Sequence, residues 1–283
     1  MRQIVALGSF KGAPGVTTLA LALAAAWPAG GGARPVVVEA DADGGDLAVR
    51  FGLPDSAGLL ALAAGARHGG TERGAGELDG CAQVVAGSLR VVVAPTGGQQ
   101  AAPCVTEVAA CPSVLRGGGD SAGVVLLDLG RLGGAPSEEL ARLADRVVLV
   151  ARGEADALAH VAARPEWLEA FRPELVVMGE CRYSEADIAQ ALRMEQAQIH
   201  VLPQDARAAA ALVGAAHMTP RRWGRAPLPR AAVALARQLN GADSEPGRGG
   251  LCGELAQLGS PAVPPQPPGW PAALPSVQRS EMP

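Results

Sequence analysis

Gly8-Ser9-Phe10-Lys11-Gly12-Ala13-Pro14-Gly15-Val16-Thr17-Thr18 is the stretch whose reading decides the fold. Before it, Gln3 to Leu7 is a short apolar run that predicts a buried strand. After it, Thr17 to Trp27 is apolar almost all round, as a core-facing helix is. A strand, a loop of small residues and a helix N-terminus together make an anion site. Amide N–H groups converge there, the helix dipole adds positive potential, and glycines let a phosphate approach the main chain.

The common phosphate loop reads GxxxxGK[ST], with its lysine on the terminal phosphates and its hydroxyl on Mg2+. Gly15 and Thr17 keep their places here, but Val16 stands where that lysine would be. Lys11, four residues before Gly15, is the only lysine in the chain, and every other cationic side chain is arginine. As KGAPGVTT the stretch resembles KGGxGKTT, the pattern of the deviant Walker A ATPases of the MinD/ParA group, which carry an additional lysine at the place of Lys11. The resemblance implies ATP held by Gly12, Ala13, Pro14, Gly15, Val16, Thr17 and Thr18. Lys11 would reach the phosphates, from its own subunit or from the opposite one of a homodimer. The alternative is a plain strand-to-helix turn with a solvated Lys11.

Pro35 to Val38 predicts a second strand, ending in Glu39-Ala40-Asp41-Ala42-Asp43-Gly44-Gly45-Asp46-Leu47. Carboxylates at a strand's C-terminal end, facing a phosphate loop, are placed to handle Mg2+ and an attacking water. MinD/ParA-like ATPases carry DxD here, so the resemblance puts Glu39 in the first place and gives Asp41 the water-orienting role. A solvated acidic loop with Asp46 or Asp55 capping the next helix is the other reading. The continuation Gly45-Asp46-Leu47 with Phe51-Gly52-Leu53 looks most like the CpaE/TadZ branch, which positions pilus or secretion machinery at the cell pole.

Ala122 to Leu127 is a continuous apolar run, as in a central parallel strand buried on both faces, and it leads into Asp128. By resemblance Asp128 is the Walker B carboxylate, Thr17, Asp41 and Asp128 are the Mg2+ set, and Gly130 offers its N–H to the γ-phosphate. Lys11 and Asp41 would then serve the catalytic step.

Further helices are expected over Ser56 to Arg67, Gln99 to Leu115 with interruptions at Pro103 and Pro112, Pro136 to Ala144, Glu154 to Ala163, Glu166 to Phe171, from Ser184, Ala206 to Gly214 and Leu228 to Leu239. Strands are expected over Arg90 to Ala94, Arg146 to Ala151, Leu175 to Met178 and Ile199 to Leu202, with a glycine-rich loop at Gly69 to Gly80. This order predicts an α/β fold, a mostly parallel central sheet flanked by helices of the P-loop NTPase type, over residues 1–240. Gly179-Glu180 stands where relatives carry Asn-Arg to read adenine, and Leu202-Pro203-Gln204-Asp205 resembles their LPxD segment. Tyr183, the only tyrosine, reads as packing.

Residues 241–283 are rich in proline and glycine, Pro264 to Pro271 most of all, and read as an extended tail in which Trp270 could be a peptide ligand for a partner. The basic amphipathic helix of MinD proteins has no counterpart there, so no direct membrane anchor is expected. Arg221, Arg222 and Arg225 form the one local cationic cluster, read either as solvated surface or as a contact to the DNA backbone. The net charge of −4 gives no general bias toward nucleic acid. Five cysteines without a CxxC pair, and no signal-peptide pattern at the start, suit a reduced, cytoplasmic setting. The functional expectation is an ATP-binding dimeric switch or scaffold in intracellular positioning of pilus or secretion machinery, septum or chromosome. Its hydrolysis would be weak or absent because of Val16. The alternatives are a nucleotide-free scaffold and a ParA-like DNA-partition ATPase.

Overall fold

The structure, a computed structural model, describes residues 1–12, 14–28, 34–54, 57–67, 74–85, 89–118 and 122–241. Ala13, Asp55, Ser56, Cys252 and the tail from 242 onward, with Trp270, lie outside the described residues.

The apolar runs become β1 (Gln3–Ser9), β2 (Val36–Glu39), β3 (Gln83–Val85), β4 (Leu89–Val92), β5 (Val124–Arg131), β6 (Arg146–Arg152), β7 (Glu174–Met178) and β8 (Ile199–Leu202). Among the described residues they form one sheet in the order β3-β4-β2-β5-β1-β6-β7-β8. All pairings are parallel except β3 with β4. Val, Ile and Leu alternate between the sheet's two faces, and both faces are buried, as in a parallel sheet covered on each side.

On one face α1 (Val16–Ala26) packs against the sheet together with α11 (Ala206–Leu212) and α13 (Pro227–Leu239). Its Leu/Ala sequence is strongly helix-forming, and eight of its residues are buried. The other face is covered by α3 (Leu59–Arg67), α5 (Gly98–Ala110), α7 (Ala135–Leu143), α8 (Ala155–Ala162), α9 (Pro165–Phe171) and α10 (Glu185–Leu192). Shorter helices α2 (Leu47–Phe51), α4 (Gly74–Cys81), α6 (Ser113–Arg116) and α12 (Pro220–Trp223) fill the connections.

The expected topology stands, with local corrections. Gly74–Cys81, expected within a loop, is helical, anchored by the buried Leu78 and by Asp79 between Arg2 and Arg90. The three-residue β3 closes a hairpin onto β4 that the sequence did not announce. Helix α5 runs through Pro103 unbroken, because that residue faces solvent, where the carbonyl left without a partner meets water. The expected break at Pro112 occurs. Tyr183 is not core packing: it is 42% exposed at the rim of an apolar groove of about 230 Å³ between α8 and α10.

Polar clamps hold the sheet's N-terminal edge. Arg116 grips both oxygens of Asp145 at 3.0 Å, and Asp145 also accepts the Ile4 amide at 2.7 Å. Glu174 accepts from His200 Nε2 at 2.9 Å and from Gln238 at 3.4 Å, tying α13 to β7 and β8. The C-terminal edge carries the candidate site.

Candidate functional site

The chain leaves β1 at Ser9, turns through Gly12 and Gly15, and enters α1. Both glycines have positive φ, +72° and +98°. A side chain would be strained at either, and neither is crowded: a Cβ on Gly12 would meet nothing within 4 Å, and one on Gly15 only Thr18 at 3.9 Å. Gly15 is the N-cap of α1 and no side chain caps that helix, so the amides of its first turn remain open to an acceptor. The Ser9 hydroxyl adds to this. It is 1% exposed, on the α1 side of β1 with Val5 and Leu7, and has no hydrogen-bond partner. An open glycine turn, uncapped amides and a buried orphan hydroxyl fit a group with several acceptor oxygens, which is what a phosphate chain offers.

Val16 is 5% exposed and packs with Val5, Leu7 and Leu19. Lys11 is exposed, and its ammonium lies 3.5 Å from Asp156 in the first turn of α8. Its neighbour Phe10 is buried edge-on against Trp167, with centroids 5.0 Å apart, and the Arg164 guanidinium sits 4.4 Å from the Phe10 ring centre. The start of the loop is thereby fixed to α8 and α9, an attachment that the sequence did not foretell.

The carboxylates divide by role. Glu39, 2% exposed, accepts the amides of Asp46 at 2.7 Å, Leu47 at 3.0 Å and Ala94 at 2.9 Å. It is a structural tie between β2, the loop before α2 and the end of β4. Burial raises its pKa, and the three amides oppose that. Asp46, at the N-cap of α2, makes no capping bond and pairs with Arg50 instead. Asp41 accepts the amides of Asp43 and Arg131, and burial raises its pKa as well.

Asp128 is 1% exposed. It receives a hydrogen bond from the Thr17 hydroxyl, and the Gly130 amide donates to it at 3.1 Å. Burial above all, with the nearby charges of Glu39 and Asp41, pushes its pKa up to about 7. Thr17 and Asp128 are therefore joined directly, while the Gly130 N–H assigned by resemblance to a phosphate is spent on Asp128. Asp41 lies against Gly130. Among the described residues no three His, Cys, Asp or Glu side chains converge as a metal site. A divalent ion here would draw on Thr17, Asp128 and the oxygens of its own ligand.

The segments aligned with base recognition, Gly179 and Pro203 to Asp205, lie at the C-terminal ends of β7 and β8. There the Gly179 amide bonds Leu202 O at 2.8 Å, and Asp205 caps α11 through the Ala208 amide at 2.9 Å. Arg221, Arg222 and Arg225 are exposed on α12 and the turn after it, where Trp223 inserts into the core. Among the described residues no helix is long and apolar enough to cross a membrane.

No protein-family model matches the sequence, and no curated protein matches it either. Solved structures do. A ParA family ATPase from Chlorobium tepidum superposes with TM-score 0.63 at 14% identity, over 83% of this chain and 97% of its own. The cell division ATPase MinD of Pyrococcus furiosus gives 0.63 at 16% identity, over 85% and 99%. The septum site-determining protein MinD of Pyrococcus horikoshii, complexed with Mg-ADP, gives 0.59 at 16% identity, over 85% and 96%. With the same sheet, the glycine turn after its first strand and the carboxylates at its C-terminal edge, the chain has the fold of the MinD/ParA-type P-loop ATPases.

Proposed function

We propose that the chain is an ATP-binding protein of the MinD/CpaE kind, working as a dimeric switch or scaffold in intracellular positioning, with weak or absent hydrolysis. The observation that carries this reading is the loop itself: Gly12 and Gly15 at positive φ, an uncapped α1 and the orphaned Ser9 hydroxyl, next to the Thr17–Asp128 pair.

The amides of Gly12, Gly15, Val16, Thr17 and Thr18 would hold the phosphates. Thr17 and Asp128 would hold Mg2+, and Asp41, beside Gly130, would orient a water. Bound Mg-ATP would supply a transferable phosphoryl group. Val16 puts no charge into this cradle, and an ammonium missing where charge develops removes a large electrostatic contribution to transfer, so binding outlasts catalysis. Lys11 would have to leave Asp156 to contribute. The MinD relative solved with Mg-ADP supports the choice of ligand. The septum and cell-division roles of the MinD relatives support a positioning task. A pilus or secretion cargo rests on the sequence likeness of residues 45–53 alone.

A second reading, a nucleotide-free scaffold, draws on the Thr17–Asp128 hydrogen bond, which satisfies both groups without an ion. Titrating the full chain with Mg-ATP in a calorimeter, beside Val16→Lys, separates the two. Saturable binding by the natural chain supports the switch. No binding by the natural chain, with binding by Val16→Lys, establishes the scaffold.

A further inference from the structure

We propose that Arg131 supplies, from within the same chain, the positive charge that Val16 withholds, and that it contacts the phosphate chain of a nucleoside di- or triphosphate in the loop. The inference rests on the nucleotide-binding reading above.

The geometry comes from a break in strand pairing. β5 pairs with β1 as Leu7↔Asp128 and then as Ser9↔Arg131, so β5 holds one residue more than β1 over this step. The surplus is a bulge with Gly130 at φ +54°. Regular alternation from Asp128, which faces Thr17 and α1, would send residue 131 to the opposite face. The bulge reverses this, and Arg131 shares the face of its partner Ser9, whose strand-mates Val5 and Leu7 pack with α1. Leu132 gives an independent check. Its side chain covers Gly8 on the face away from α1, so its neighbour Arg131 points to the α1 side.

Paired strands lie about 5 Å apart, so the Cα of Arg131 is within one strand spacing of Ser9, two residues before Lys11 and three before Gly12. Its amide is fixed on Asp41. Its side chain is exposed and meets no carboxylate among the described residues. A planar fork of donors on a long stem, anchored beside an open cluster of amides, suits phosphate oxygens. The other cations at this edge are placed less well. Lys11 is paired with Asp156, and Arg152 stands at the end of β6, whose pairing with β1 stops at Gly8.

The test is calorimetric titration of the full chain with ADP, with ATP and with pyrophosphate, for the natural protein, Arg131→Ala, Arg131→Lys, Arg152→Ala and the double variant Arg131→Ala/Val16→Lys. Arg131→Ala is expected to weaken ADP binding at least tenfold with an unchanged melting temperature. Arg131→Lys and the double variant should recover much of the loss, and Arg152→Ala should bind as the natural protein does. Natural-strength binding by Arg131→Ala, or a loss confined to Arg152→Ala, overturns the assignment and leaves the nucleotide reading standing. If the natural chain binds none of the three ligands, both fall together.

Discussion

Gly130 lies flat against the carboxylate of Asp41, with no room for even a methyl group between them. Its φ of +54° is also one that only glycine adopts freely. Gly130→Ala therefore meets both a clash and backbone strain, and is expected to destabilise the chain by about 1–3 kcal/mol. Urea unfolding measures this. The same variant should weaken ADP binding, because the bulge that turns Arg131 toward the loop depends on this residue.

Glu39 holds three amides with two oxygens. Glu39→Gln places an NH2 group against at least one N–H, so a buried donor loses its acceptor. A loss of about 1–3 kcal/mol is expected in urea unfolding. If Glu39 belonged to an exposed catalytic pair, the same change would leave stability almost untouched.

Asp128 gives a pH dependence with a definite sign. Burial raises its pKa to about 7, so the folded chain holds that proton more tightly than the unfolded chain does. Between about pH 4 and about pH 7 the native state carries the extra proton, and stability falls as pH rises across that window, levelling above it. Melting temperatures of the natural protein should show this decline. Asp128→Asn should flatten it in part, and Glu39 and Asp41, raised in the same direction by burial, contribute to what remains.

Phe10 joins the loop to Trp167 and Arg164. Phe10→Ala empties a buried ring site and is expected to cost about 3–5 kcal/mol. Trp167 touches that ring, so its fluorescence should shift in the variant at temperatures where the chain is still folded.

The fold was legible because the parallel strands are continuous apolar runs and α1 is apolar all round, patterns that survive without any knowledge of neighbours. The helix Gly74–Cys81 was not, since its three glycines mimic a loop and its anchors, Asp79 to Arg2 and Arg90, come from distant segments. Thr17, Asp41 and Asp128 could be named through the family resemblance of their motifs. What each carboxylate holds could not, as Glu39 and Asp41 differ through backbone amides brought in from β4 and β5. Ser9 carried a signal that went unused, a polar residue ending an apolar strand. Arg131 carried none, because strict alternation points it the wrong way and only the bulge corrects it.

The burial of Val16 decides what anchors the first turn of α1. A valine in the same core cluster as Val5, Leu7 and Leu19 is held there by packing. Lysine at this position would give up part of those contacts as its stem ran outward to solvent. Val16→Lys therefore adds its charge at the first turn of α1 at some cost in packing, which a lowered melting temperature of that variant would show. Residue 16 thus serves the core rather than the loop, so the first turn of α1 is anchored by packing and not by a charge.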